Sequence, residues 1–249
     1  MDNGKSFVHL SVPGASGRRL IFWLAMEEWA VRHKPDSFFV WNVDPTVIFG
    51  RNQDMEAEVN VPYCLERGIS MFRRKSGGGC VYSDRGNLML SYITGCRDVA
   101  GAFGSYLNDL SSVLRVFGFE AVTTANNDIL VGGRKVSGNA CFSTPQGSIV
   151  HGTLLYDCDF AEMERAITPS REKLDSKGIK SVRQRVANLR DLGAEFSIAD
   201  LKDGIIHYFC NDEYILSAEE ILEIEELEKF YSDSNFIRNG RRNQENVPV

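Results

Sequence analysis

Along the chain, short runs rich in aromatic and β-branched residues alternate with stretches whose apolar positions recur at helical spacing. That alternation predicts strands interleaved with helices. Residues 7–11 read as a strand, followed by a Pro-Gly turn and a helix from about Ser16, with Ser16 at its N-cap. Leu20, Trp23, Leu24, Glu27 and Glu28 fall at helical spacing there, and core packing is the role expected of them. Residues 37–43 and 46–49 read as two strands joined at Asp44-Pro45. The second runs into Gly50-Arg51-Asn52-Gln53, which is either a polar cluster facing a ligand cleft or an exposed turn. Val61-Pro62 opens a short helix expected to end at Gly68, and residues 69–72 form a short buried strand. Next come a strand over residues 87–94, an amphipathic helix over 106–117 closed by Gly118, and a hairpin at Gly132-Gly133 that places Asp128 and Lys135 on neighbouring strands. A strand over 148–156 precedes helices over 197–210 and 217–231, the second opened by a Ser217/Glu220 capping box. The order describes an α+β chain.

Size and charge narrow the partners. With 249 residues and 43% hydrophobic content, one sizeable core is expected, since such chains bury roughly 70–75% of their unfolded surface. A net charge of −6 and a pI near 5.4 oppose a nucleic-acid binder that works by broad phosphate neutralisation, so the expected partner is a small anion or a protein. Six scattered cysteines without a C-x-x-C pair, and no signal peptide, read as reduced thiols of a cytoplasmic protein. No apolar run reaches membrane-spanning length, and four dispersed histidines do not suggest a transition-metal site. The acidic run 219–228 is a solvated helix face or a docking face, and Arg238, Arg241 and Arg242 give the tail a basic character.

The chemistry concentrates in two stretches. Arg73-Arg74-Lys75-Ser76-Gly77-Gly78-Gly79-Cys80-Val81-Tyr82 sets three glycines between strand-like segments, a pattern that lets an anionic ligand approach bare backbone amides or else makes a tight turn with solvated basic flanks. It is neither a Walker loop nor a dinucleotide fingerprint. Asn127-Asp128, Arg134-Lys135-Val136-Ser137-Gly138 and His151-Gly152-Thr153 form the second set. A lysine half-buried on a strand requires an anionic partner, unless it sits on a strand edge.

Together with the segment 177–189, these motifs resemble the lipoate-protein ligase A family, with five motifs in order across residues 49–189. The resemblance implies a mixed β-sheet catalytic domain of the biotin/lipoate ligase type with flanking helices. It implies ATP-dependent activation of lipoate or octanoate, with Mg2+, and transfer to a lysine of lipoyl domains of 2-oxoacid dehydrogenase complexes or of the glycine-cleavage H protein. Carried over by position, Lys135 is the catalytic lysine bridging carboxylate and α-phosphate. Arg74, Ser76, Gly77, Gly78, Gly79, Cys80, Val81 and Tyr82 correspond to nucleotide and acyl-adenylate contacts, with Ser137 and Gly138 beside the lysine. Asn87, His151 and Gly152 are expected to line the pocket, Arg51 and Arg73 to make outer phosphate contacts, and Asp128 to orient Lys135 or bind magnesium.

Two departures matter. Ser83 stands where the family pattern has histidine, and no full C-terminal accessory domain is read: residues 1–195 are expected as the catalytic domain, 196–232 as helices packed on it, and 233–249 as a disordered polar tail. A separate accessory protein is one implied partner. Two alternatives stay open: an ATP-independent octanoyl or lipoyl transferase using Cys141 near His151, and a non-catalytic lipoyl-binding module.

Overall fold

The structure is a computed structural model that describes residues 7–168 and 185–240. The motif positions 177–183 and the tail 241–249 lie outside the described residues. In chain order the elements are β1 (Phe7–Ser11), α1 (Leu20–His33), β2 (Ser37–Trp41), β3 (Thr46–Phe49), α2 (Met55–Glu58), α3 (Val61–Arg67), β4 (Ser70–Arg73), β5 (Cys80–Ser83), β6 (Asn87–Thr94), α4 (Val99–Val116), β7 (Ala121–Thr123), β8 (Asp128–Val131), β9 (Arg134–Thr144), β10 (Gly147–Leu155), α5 (Phe160–Ala166), α6 (Ile198–Phe209), β11 (Cys210–Ile215), α7 (Ala218–Tyr231) and α8 (Ser234–Asn239).

Eight strands form one mixed sheet in the order β11-β1-β2-β6-β10-β9-β8-β7, and a second sheet has the order β4-β3-β5. The fold is α+β. Strand β2 shows why its sequence is a continuous apolar run rather than an alternation. Phe38 enters the core under α4 and α6, while Phe39 and Trp41 enter the opposite core under α1 and α7, so both faces are covered. Each such phenylalanine contributes about 1.5–3 kcal/mol through burial. A third apolar cluster joins the small sheet to α3 and α5 through Val47, Phe49, Tyr82 and Met163.

Several boundaries differ from the sequence expectations for local reasons. Helix α1 begins at Leu20 with Arg19 at the N-cap, not Ser16, because the left-handed Gly14 and Gly17 hold the chain in turns until then. The strands on either side of Asp44-Pro45 belong to different sheets, and β4 and β5 flank β3 instead of forming a hairpin around the glycines. Strand β11 follows α6 directly and pairs parallel with β1; its exposed Asn211, Asp212 and Glu213 give an edge strand without apolar alternation. Residues 234–239, expected within the tail, form α8, capped by Asp233 and anchored by the buried Phe236.

Candidate active site

A cleft of about 490 Å³ opens between the two sheets. Its lining residues come from successive strands of the large sheet: Trp41 on β2, Met89 on β6, His151 and Thr153 on β10, Lys135 and Gly138 on β9, and Asp128 on β8. Four inter-strand steps separate β2 from β8, so the cleft runs roughly 19 Å across the sheet. The small sheet supplies Ile48, Cys80 and Val81, and α1 supplies Leu20 and Leu24. One end is therefore aliphatic and aromatic, and the other is charged.

The glycine loop closes over this cleft, and its shape is set from inside by Arg74. That side chain is buried, and its guanidinium donates to the carbonyls of Ile48 (3.1 Å), Gly77 (2.8 Å) and Gly79 (2.9 Å) and to Ser76 Oγ (3.1 Å). The Ser76 carbonyl accepts from the Arg51 amide. With these carbonyls turned inward, and nothing among the described residues accepting from the amides of Gly77 and Gly78, the loop offers its N–H side to a ligand. Gly78 holds φ +92°, and a Cβ on Gly50 would stand 2.2 Å from the Gly78 carbonyl oxygen, so both positions require glycine. Burial lowers the Arg74 pKa to about 10, which leaves it charged at neutral pH.

At the charged end, Asp128 is buried between two cations. Lys135 Nζ lies 2.7 Å from Oδ1, and Arg185 Nη2 lies 2.7 Å from Oδ2. The hairpin places Asp128 and Lys135 on adjacent strands, while Arg185 arrives from a distant segment that brackets the lysine backbone: Lys135 N donates to Arg185 O, and Ala187 N donates to Lys135 O. Gly138 makes room for the lysine, since a Cβ there would stand 2.5 Å from Nζ. Both carboxylate oxygens of Asp128 are thus occupied, and no group of three or more His, Cys, Asp or Glu among the described residues could hold a metal. The donor set does not fit a protein-built magnesium site.

A buried polar chain supports the loop from beneath. Trp41 Nε1 donates to Ser91 Oγ (2.9 Å), which donates to Glu27 Oε1 (2.6 Å). Glu27 Oε2 lies 2.9 Å from His151 Nδ1, and His151 Nε2 lies 2.7 Å from Ser76 Oγ. Since Arg74 Nε donates to Ser76 Oγ, the order that satisfies every atom has Ser76 donating to Nε2 and Nδ1–H donating to Glu27.

The cleft gathers Arg74, Gly78, Gly79, Cys80, Val81, Asp128, Lys135, Gly138, His151 and Gly152 from among the sequence candidates. Others lie elsewhere. Tyr82, one residue further along β5, points to the far side of the small sheet, where burial raises its phenol pKa. Asn87 is fully buried and donates to the Tyr82 carbonyl, and Ser137, also fully buried, donates to Oδ1 of the cleft-lining Asn139. Arg73, expected at the phosphates, is sunk in the protein and donates to six main-chain carbonyls. Cys141 faces the core opposite the cleft, and burial pushes its thiol up to about 11, so it is not a poised nucleophile. Ser83 is buried and donates to Met89 Sδ at 3.3 Å, beneath the aliphatic end. Sequence reasoning assigned no site role to Glu27, Trp41, Met89 or Arg185. For Glu27 a signal existed: two glutamates within an otherwise buried helix require partners.

The chain matches the lipoyl protein ligase A/B catalytic domain over residues 21–210. It is 37% identical over 195 residues to lipoate-protein ligase LplJ of Bacillus subtilis (strain 168), a match covering 76% of this chain and 58% of that protein. The chain thus spans about three fifths of the length of this curated relative. Its fold resembles a bi-partite lipoate protein ligase of Thermoplasma acidophilum, characterised with its E2 lipoyl domain, with a TM-score of 0.81, 25% identity, and 94% of this chain and 96% of that one covered. A lipoate-protein ligase A bound with ATP shares the fold at a TM-score of 0.79 and 24% identity, with 94% and 98% covered. By sequence over three quarters of its length and by fold over nearly all of it, the chain belongs to the lipoyl protein ligase A/B catalytic domain family.

Proposed function

We propose that this protein activates lipoate, or octanoate, with ATP and passes the acyl group to a lysine of a lipoyl domain. The observation that carries the reading is the polarity of the cleft, with Trp41 and Met89 at one end, Asp128, Lys135 and Arg185 at the other, and the glycine loop between. An acid with an aliphatic tail and a charged head fits that order. In the first step a carboxylate oxygen bonds to the α-phosphorus of ATP and the bond to pyrophosphate breaks. Negative charge gathers on the phosphoryl oxygens, where the Lys135 ammonium and the loop amides are fixed donors; Asp128 holds the lysine in place. In the second step the acceptor amine bonds to the acyl carbon, AMP leaves, and the amine gives up a proton. Arg51, tied to the loop through its amide, is proposed for outer phosphate contacts, and magnesium is proposed to arrive on the nucleotide's phosphates.

The acceptors proposed are lipoyl domains of 2-oxoacid dehydrogenases and the glycine-cleavage H protein, with a separate accessory protein assisting transfer. The likeness to a bi-partite ligase characterised with its E2 lipoyl domain supports the lipoyl-domain acceptor and the separate accessory protein. All six cysteines are free, as suits the reducing cytoplasm, and no described helix is long and apolar enough to cross a membrane.

Lipoate-dependent ATP–pyrophosphate exchange tests the reading. Wild type and Cys141→Ala exchange alike, and Lys135→Ala loses about 10²–10³-fold in rate. Absence of exchange, with acyl transfer between carriers that depends on Cys141, makes the protein a transferase; lipoate binding with neither activity makes it a binding module.

A further inference from the structure

The glycine loop is anchored outside the cleft at both shoulders of the segment that leads into it, and each anchor reaches the C-terminal helices. Arg73 donates from Nε to the carbonyls of Phe236 and Ile237 (both 3.0 Å) and from Nη2 to that of Arg238 (2.9 Å), at the C-terminal end of α8. From Nη1 the same guanidinium donates to the carbonyls of Gly50 (3.2 Å), Arg51 (3.1 Å) and Gln53 (2.7 Å), the turn that also carries the loop's contact with Ser76. Helix-end carbonyls and a cation attract one another, and the planar fork fixes their relative geometry. Two residues on, Lys75 Nζ lies 2.7 Å from Glu28 Oε1 of α1 and 4.1 Å from the Phe230 ring centroid. Tyr231, the last residue of α7, donates its hydroxyl to the same Glu28 oxygen. Tyr231 and Phe236 are buried, and the Phe230 and Phe236 rings lie 4.5 Å apart, so α7 and α8 share one apolar seat.

None of these C-terminal residues lines the cleft, and all lie beyond the stretch matched by the family. Yet the main chain of residues 73–75 continues directly into Ser76 and the glycines. A displacement of α7 or α8 therefore moves the amides that face the ligand.

Resting on the ligase reading above, we propose that α7 and α8 form a clamp that positions the glycine loop for nucleotide, with Tyr231 and Phe236 as positioning residues acting through Lys75 and Arg73. The clamp acts on the nucleotide half of the reaction through its polar contacts to Arg73 and Lys75, while its apolar seat belongs to the cluster that also holds Trp41 and Met89, so Tyr231→Phe, which keeps the ring, is the cleaner of the two helix variants.

The test compares wild type with Tyr231→Phe, Phe236→Ala, Lys75→Met and Lys75→Arg in lipoate-dependent exchange, together with ATP binding by calorimetry and the thermal midpoint. In Tyr231→Phe and Phe236→Ala, the KM and Kd for ATP rise about tenfold, because misplaced donors lose part of their binding, while the KM for lipoate stays within about twofold. Lys75→Arg retains most of the wild-type affinity and Lys75→Met does not. Wild-type ATP affinity in the two helix variants, with loss confined to Lys75→Met, means that Lys75 touches the nucleotide itself and overturns the clamp. An equal rise for ATP and lipoate overturns it as well. Should Phe236→Ala unfold, Tyr231→Phe, which deletes a single oxygen, decides. A wild type that binds ATP without exchanging contradicts the ligase reading, while the calorimetric comparison still tests the clamp.

Discussion

Gly138 has no side chain where Lys135 folds over it, and the lysine's terminal atoms occupy the place a methyl group would take. In Gly138→Ala the lysine swings away from Asp128, and exchange activity falls by about 10²-fold while the unfolding midpoint stays near wild type; full activity in that variant contradicts the placement of Lys135. The thiols give a second test. Burial holds Cys141 near 11, so at pH 8 only about one molecule in a thousand carries the thiolate, and its alkylation by iodoacetamide rises about tenfold per pH unit up to that value. Exposed Cys96 labels first. Rapid labelling of Cys141 at pH 8 returns the transferase reading to contention. At this scale the placement of Asp128 and Lys135 on adjacent strands was legible, because two adjacent glycines mark the hairpin, whereas the register shift after Ile129 that sets Asp128 opposite Gly138 was not. Arg185 was not: its approach to Asp128 crosses more than fifty positions, and no local pattern encodes such a contact.

Neighbouring arginines on one segment have separate duties. Arg74 shapes the glycine loop from within, whereas Arg73 joins the turn after β3 to the end of α8. Arg73→Met leaves buried carbonyls without donors and lowers the unfolding free energy by on the order of 3 kcal/mol, read from the urea midpoint. Arg73→Lys leaves most of that loss in place, because an ammonium cannot serve carbonyls spread around a planar fork; full recovery by lysine contradicts this account. The elements that carry strong patterns, such as α3 with its Pro62 start and Gly68 end, stand where the sequence puts them. Those that escaped are the polar edge strand β11 and the short α8, whose stability comes from one capping aspartate and from tertiary contacts.

For the whole molecule, function follows from two sheets meeting so that one cleft has opposite ends of different character. The large sheet orders the lining from Trp41 to Asp128, and the small sheet brings the glycine loop over its middle. The order of the chemistry along the cleft depends on strand order, β2-β6-β10-β9-β8, which is not the order of the sequence. That is why the motifs named the ingredients and left their arrangement open. The most direct measurement is a crystal structure with a non-hydrolysable lipoyl-adenylate analogue. This account predicts the aliphatic tail against Trp41 and Met89, and the phosphate within hydrogen-bonding reach of Lys135 Nζ and the amides of Gly77 and Gly78. An analogue bound in the reverse direction, or in the groove behind Tyr82, contradicts it.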